Sequence, residues 1–399
     1  MATNGFRRAG HTPSLVAALV HFDVSFMVWV LLGALGAYVA SDLNLSAAQK
    51  GLMVAVPPLG GSAFRLLLGT LADRVGVRRT GLVTMALTLV PLMWGWLGGG
   101  TYYQVLGIGM LLGIAGASFA VALPLASRWY PPEHQGLALG IAGAGNSGTL
   151  IAALAAPRLA EHVGWHGVFG LAAIPVSLAW LAFAVLAKEP PRPKPALGVS
   201  SNPFSLLNDP DARWLCSFYL VTFGGFVGLA SYLPIFFVDR FGLTKVTAGG
   251  FAALCAVAGS FLRPLGGVLS DRLGGTRVLA TSLGGAAVLL LGMAALPGLP
   301  VTVLLLFAAM GAFGMGNGSV FQLVPQRFPA RMGAMTGLVG AAGGVGGFLL
   351  PFALGSLKGS TGSFTAGFAV VALAVGTASY YVNRRQRVWA TSWDIEVAV

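Results

Sequence analysis

The stretch GSAFRLLLGTLADRVGVRR (61–79) recurs as GSFLRPLGGVLSDRLGGTR (259–277). Arg65 and Arg263 are 198 residues apart, and so are Gly69 and Gly267, Asp73 and Asp271, Arg74 and Arg272, and Gly76 and Gly274. A second pair agrees: GLALGIAGAGNSG (136–148) matches GAMTGLVGAAGGVGG (333–347), with Gly136/Gly333 and Gly140/Gly337 offset by 197. LSAAQKGL (45–52) against LTKVTAGG (243–250) is a weaker third. Offsets that agree to within one residue across several segments mean a duplicated unit. Parallel repeats of this kind build rocking transporters, with substrate bound at the midplane between the halves.

Outward from the repeat, composition says what surrounds it. Of 399 residues, 56% are hydrophobic and only 9% charged, and the mean hydropathy is +0.80. Soluble domains carry about 25% charged residues. A surface this poor in charge suits lipid, and the 58 glycines suit close packing of membrane helices. Cys216 and Cys255 lie in apolar stretches and read as small buried hydrophobes. No metal-ligand spacing, catalytic triad or phosphate loop occurs, so the chain is expected to be no enzyme, with no cofactor and no metal.

A membrane helix needs about 20 mostly apolar residues. That window predicts an all-α membrane protein with twelve spans, near 14–40, 49–72, 80–98, 103–128, 134–158, 165–187, 211–239, 245–271, 275–296, 300–326, 331–357 and 362–383. The expected organisation is a six-helix bundle over 1–187, a proline-rich linker over 188–210 and a second bundle over 211–399. The first span lacks a small-residue cleavage site and reads as a retained helix. With the N-terminus inside, seventeen of the 24 Lys and Arg fall on the inner side, five outside, and two, Arg65 and Arg263, within spans. That bias predicts both termini in the cytoplasm of a cell inner membrane. It accounts for the net charge of +12 without nucleic acid.

Arg65 and Arg263 are each about 12 Å inside their spans. A cation at that depth is a functional hypothesis by default. The competing reading is a structural ion pair, and the one membrane carboxylate available is Asp23. Two arginines with at most one acid leave a positive site, and the repeat predicts that they face each other across the bundle interface. A planar, forked guanidinium suits a planar oxyanion. Asn146 interrupts one glycine run and can donate to an anion, while Asn317 and Gln322 sit inside another span. Tyr219 and Phe223 are one turn apart, and Phe119 follows small residues in GIAGASF (113–119). Aromatics in such helices more commonly just fill the core. The glycine runs, taken alone, read as tight packing.

The pattern GTLADRVGVRR (69–79) resembles the loop motif of the major facilitator superfamily, where it forms a charged latch; here the latch residues are Asp73, Arg74, Asp271 and Arg272. Taken together, Arg65, Arg263, the segments 136–148 and 333–347, Tyr219 with Phe223, and GNGSVFQ (316–322) resemble the nitrate/nitrite porter family of that superfamily. The resemblance implies the major facilitator fold and an anion clamped by Arg65 and Arg263. It implies that Phe119 and Phe223 sandwich the ion and that Tyr219 and Asn146 hydrogen-bond it. Gly136, Gly140, Gly143, Gly333, Gly337, Gly340 and Gly343 would then be hinge and signature positions. Gly343 stands where the other repeat has Asn146, so only one half offers that amide.

Nitrate is planar, monoanionic and weakly hydrated, which fits few donors and two arginines. The expected function is secondary transport of nitrate and nitrite by a monomer, coupled to protons through Asp23. Obligatory nitrate/nitrite exchange and exchange of a small carboxylate remain alternatives, and a membrane sensor lacks any signalling domain to support it.

Overall fold

The structure, a computed structural model, describes residue 6 and residues 8–191, 203–328 and 331–392. Among them there is no strand. Lipid offers no water to satisfy backbone polar groups, so a spanning chain must bond its own N–H and C=O groups within helices. By contacts the chain forms two units. Unit 1 is Met1–Val39 with Val56–Leu197, and unit 2 is Ala40–Ala55 with Gly198–Val399.

Unit 1 holds α1 (Thr12–Trp29), α2 (Leu31–Ala34), α5 (Val77–Leu97), α6 (Tyr102–Gly116), α7 (Phe119–Ser127), α8 (Pro132–Gly143), a 3₁₀ turn (Ala144–Ser147) and α9 (Gly148–Leu186). Two helices cross the boundary, α3 (Gly36–Asp42) and α4 (Ala47–Val75). Unit 2 holds a 3₁₀ helix (Pro203–Asn208), α10 (Pro210–Phe241), α11 (Lys245–Leu273), α12 (Gly275–Ala294), α13 (Leu299–Arg327), α14 (Met332–Thr361) and α15 (Thr365–Ser392).

Among the described residues, eleven helices are long and apolar enough to cross a membrane. The twelfth predicted span is present but merged. Ile141–Leu186 runs for 46 residues, about 69 Å at 1.5 Å per residue, twice a bilayer core. Gly164 (φ 69°, ψ 165°) breaks it with a conformation that residues bearing a Cβ rarely adopt, and so makes two crossings.

Local signals set the helix ends. Asp209 accepts from the Asp211 N–H and Pro210 opens α10, and Gly242 in the left-handed region closes it. Thr101 and Thr244 cap α6 and α11. Within each unit the seams are backbone to backbone. A Cβ on Gly113 of α6 would strike Gly60 of α4, one on Gly314 of α13 would strike Gly259 of α11, and one on Gly346 of α14 would strike the Leu220 carbonyl of α10. In unit 2 the first turns of α4 join this arrangement: a Cβ on Gly51 would lie 2.6 Å from the Pro351 carbonyl, and Lys50 pairs with Asp239 at 2.8 Å.

The polar ends of the units differ. In unit 1, Asp73 pairs with Arg128 at 3.0 Å. The Glu189 carboxylate accepts from the Val77 and Arg78 backbone N–H groups at 2.7 and 2.9 Å, capping α5 from a distant stretch. Arg78 in turn donates to the Ala187 and Ala184 carbonyls at the end of α9, both at 2.7 Å. In unit 2, Asp271 and Arg272 make no ion pair with a described residue; the anchoring acid is Asp211, held by Arg327 and Trp389, both at 2.7 Å. Residues 192–202 of the predicted linker lie outside the described residues, and its start is ordered onto unit 1 by Glu189 and by the Lys188 N–H to the Ser14 hydroxyl at 2.9 Å.

Loss of a helix cap costs about 1 kcal/mol. Glu189→Ala is therefore expected to lower the melting temperature of detergent-purified protein by a few degrees, and Glu189→Gln, which keeps an accepting oxygen, by less.

Candidate functional site

In unit 1 the site is built around Arg65, only 2% exposed. Its Nε donates to the Gly116 carbonyl at 3.0 Å, and its guanidinium carbon sits 5.1 Å from the Trp29 ring and 5.7 Å from the Phe119 ring. The Gly116 carbonyl is available because the helix stops there. The Ala120 N–H, which an unbroken helix would direct to Gly116, bonds Ala117 instead. A break in a membrane helix frees a carbonyl, and a buried cation takes it.

Trp29 is fixed as firmly. Its indole N–H donates to the Pro57 carbonyl at 2.8 Å, and its ring lies over Gly61 and Gly116, where a Cβ would collide or crowd it. Phe119 continues the aromatic wall: it lies 5.8 Å from Phe22, which in turn presses on Gly145. Asn146 follows directly, 3% exposed, and its Oδ1 makes no hydrogen bond.

The windows 14–40, 103–128 and 134–158 predict one span each. Each is interrupted, at Val30, at Ala117–Ser118 and at Ala144–Ser147. The interruptions fall beside Trp29, between Gly116 and Phe119, and at Asn146. Irregular backbone at this depth survives only where protein buries it or a cavity borders it.

Asp23 does not act as the arginine's counter-ion: among the described residues no ion pair involves it. Its Oδ1 accepts from the Ser147 hydroxyl at 2.5 Å, and the Gly148 N–H donates to the same carboxylate.

In unit 2 the helices are continuous. Arg263, half-buried on α11, lies 5.4 Å from the Phe321 ring on α13 and makes no hydrogen bond with a described residue. Tyr219 and Phe223 stack at 5.0 Å with 9° between planes, and Phe321 meets Tyr219 edge-on at 5.0 Å. Gly343 makes room for both, since a Cβ there would lie 2.6–2.8 Å from their rings. Asn317 is buried, and its Oδ1 has no hydrogen bond.

Gln322 is not brought to this cluster. Its amide oxygen abuts Gly275 at the start of α12. That level of the bundle is the end of α11 bearing Asp271, about 12 Å along the helix from Arg263.

Trp29 and Phe321 escaped the sequence reading. Each is the ring on which a site arginine rests, and nothing in their local pattern separates them from the other core aromatics. The expected hinge glycines divide. Gly343 is a packing position, whereas a Cβ at Gly143, Gly333 or Gly337 would meet nothing. Gly340 is buried in α14. The surroundings of Gly136 and Gly140 lie outside the described residues.

The profile of the Major Facilitator Superfamily matches residues 17–351. The probable nitrate/nitrite transporter NarK2 of Mycobacterium tuberculosis is 36% identical over 87% of this chain and 89% of its own length. The nitrite extrusion protein of Bacillus subtilis is 35% identical, covering 86% of both chains. The probable nitrate transporter NarT of Staphylococcus haemolyticus is 31% identical over 92% of this chain and 94% of its own. The chain belongs to the nitrate/nitrite porter family of the Major Facilitator Superfamily. A D-xylose–proton symporter of solved structure shares the fold, with a TM-score of 0.74 at 18% identity over 92% of this chain and 96% of that one. This member of the superfamily is thus a multi-pass membrane transporter and not an enzyme.

Two glycines separate packing from flexibility. Gly343→Leu is expected to lower the yield of monodisperse protein in size-exclusion chromatography. Gly337→Ala, with open space for its methyl group, should leave that yield unchanged.

Proposed function

We propose that this chain carries nitrate, and nitrite, across the cell inner membrane by alternating access, with nitrate uptake coupled to protons. The observation that carries the reading is the matched pair of arginines. Arg65 and Arg263 occupy equivalent places in the repeat, and each is seated on aromatic rings. The reading assigns both arginines to anion binding, with Phe119 and Asn146 as the aromatic and neutral polar groups of unit 1 and Phe223, Tyr219 and Asn317 as those of unit 2.

The chemistry favours a small planar monoanion. Stripping water from a weakly hydrated ion is the smaller penalty, and two cations in an apolar wall offset it through charge-assisted bonds. A dianion would need more donors than these. A sugar would need a denser set of polar side chains, and a cation would be repelled. The names of the relatives, a nitrate/nitrite transporter, a nitrite extrusion protein and a nitrate transporter, point the same way. The lysine and arginine bias puts both termini in the cytoplasm.

Asp23 is the proposed proton site. The charged groups of the helices packed around α1 are engaged elsewhere or lie at helix ends: Arg65 on Gly116 and the rings, Arg78 on the end of α9, Arg128 on Asp73. His21 shares α1 with Asp23, and its ring rests against Phe183.

The deciding experiment uses purified protein in liposomes with labelled nitrate outside and a pH gradient, internal nitrite or internal formate as driver. Nitrate flux under an acid-outside gradient supports the proposal. Flux only against internal nitrite replaces coupling with exchange, and no nitrate flux under any driver rejects the substrate. Arg65→Lys keeps the charge but loses the fork and the Nε bond. A charge-assisted hydrogen bond contributes roughly 1.5–3 kcal/mol, so apparent affinity should fall about 10- to 100-fold. Asp23→Asn should abolish pH-driven uptake; uptake that keeps its pH dependence would remove Asp23 from coupling.

A further inference from the structure

We infer that Asp23 and Ser147 form a clamp that holds the helix break at 144–147 in shape and so aims the Asn146 amide into the anion site. The inference rests on the anion-transport reading and assigns Ser147 as a positioning residue.

The clamp begins with an unmet need. α8 ends at Gly143, the chain tightens into a 3₁₀ turn over Ala144–Ser147, and α9 starts at Gly148. A change of helix type leaves backbone groups without their usual partners, and no water is at hand inside a bilayer to replace them. Here the Gly148 N–H shares the Asn146 and Gly145 carbonyls and also reaches the Asp23 carboxylate. A carboxylate at the first residue of a helix meets the positive end of its dipole. The Ser147 hydroxyl adds a bond of 2.5 Å to the same carboxylate.

Packing then locks α1 onto the turn. A Cβ on Gly148 would strike the Asp23 carbonyl and lie 2.7 Å from the Met27 nitrogen. A Cβ on Gly145 would lie 2.7 Å from the Phe22 ring and 2.9 Å from the Asp23 nitrogen. The two glycines that flank Asn146 and Ser147 therefore let α1 touch the break directly.

Asn146 lies between them, buried, its side-chain oxygen without a hydrogen bond. The backbone of the turn sets the direction in which the Asn146 side chain leaves it. That backbone is what the carboxylate and hydroxyl fix. The other repeat has Gly343 at the matching place, in the unbroken helix α14. The clamp accordingly exists in one half of the duplication.

Two measurements on the full-length protein in liposomes or nanodiscs test this. In the first, Ser147→Ala, Asn146→Ala and the double variant are compared for nitrate/nitrite exchange. Ser147→Ala should raise the nitrate KM five- to tenfold with maximal rate within twofold. It should change nothing further in the Asn146→Ala background, because its effect passes through Asn146. An equal effect in both backgrounds overturns the inference. The second measurement needs no substrate. In Ser147→Ala, hydrogen exchange of the 144–150 amides should speed up about tenfold, while that of 275–294 should not change. Unchanged exchange at 144–150 overturns the clamp. Wild-type protein that moves no nitrate under any driver would reject the transport reading, and amide exchange would still judge the clamp.

Discussion

A guanidinium inside a membrane bundle must be satisfied by something other than water. Around Arg65 the protein meets that demand with a carbonyl released by a helix break and with two aromatic faces. The remaining features of unit 1 follow from it. α6 has to stop at Gly116 so that the carbonyl is free. Gly61 and Gly116 have to be bare so that Trp29 can lie beside the cation, and Gly60 and Gly113 have to be bare so that α4 and α6 approach closely enough for the bond to form.

The duplicated half solves the same problem differently. Arg263 sits on Phe321 in a bundle of unbroken helices, half-buried, with no hydrogen bond to a described residue. Tyr219, Phe223 and Phe321 form a continuous aromatic group, and Gly343 makes the space for it. One arginine is thus anchored and the other lies against a ring surface. Gene duplication supplied two equal cations. Their surroundings are unequal: in unit 1 a broken helix carries a buried amide, and in unit 2 the helices are unbroken and the neighbours are aromatic.

Asp23 shows how the sequence singles out a residue without showing what holds it. A lone carboxylate in a membrane span invites an arginine partner or a proton. The structure gives it a hydroxyl and a backbone amide at the start of α9. Conserving charge complementarity is only one way to stabilise a buried carboxylate; a helix N-terminus is another. Glu189 does the same outside the spans, at the start of α5, from a stretch that read as linker. Both caps join residues over a hundred positions apart, so neither has a local signature.

The chain's hydropathy, its basic-residue bias and its 198-residue offset determined by themselves the helical membrane fold, the two halves and the two arginines, because each is a property of order along the chain. The tertiary structure decided the rest. Which aromatics support the cations, which glycines are seams and which face open space, and where Gln322 ends up all depend on what another helix presents at that height. The breaks at Val30, Ala117–Ser118 and Ala144–Ser147 belong there too. A helix gives up its own hydrogen bonds inside lipid only where a neighbour replaces them, and the neighbour is chosen by folding, not by adjacency in sequence.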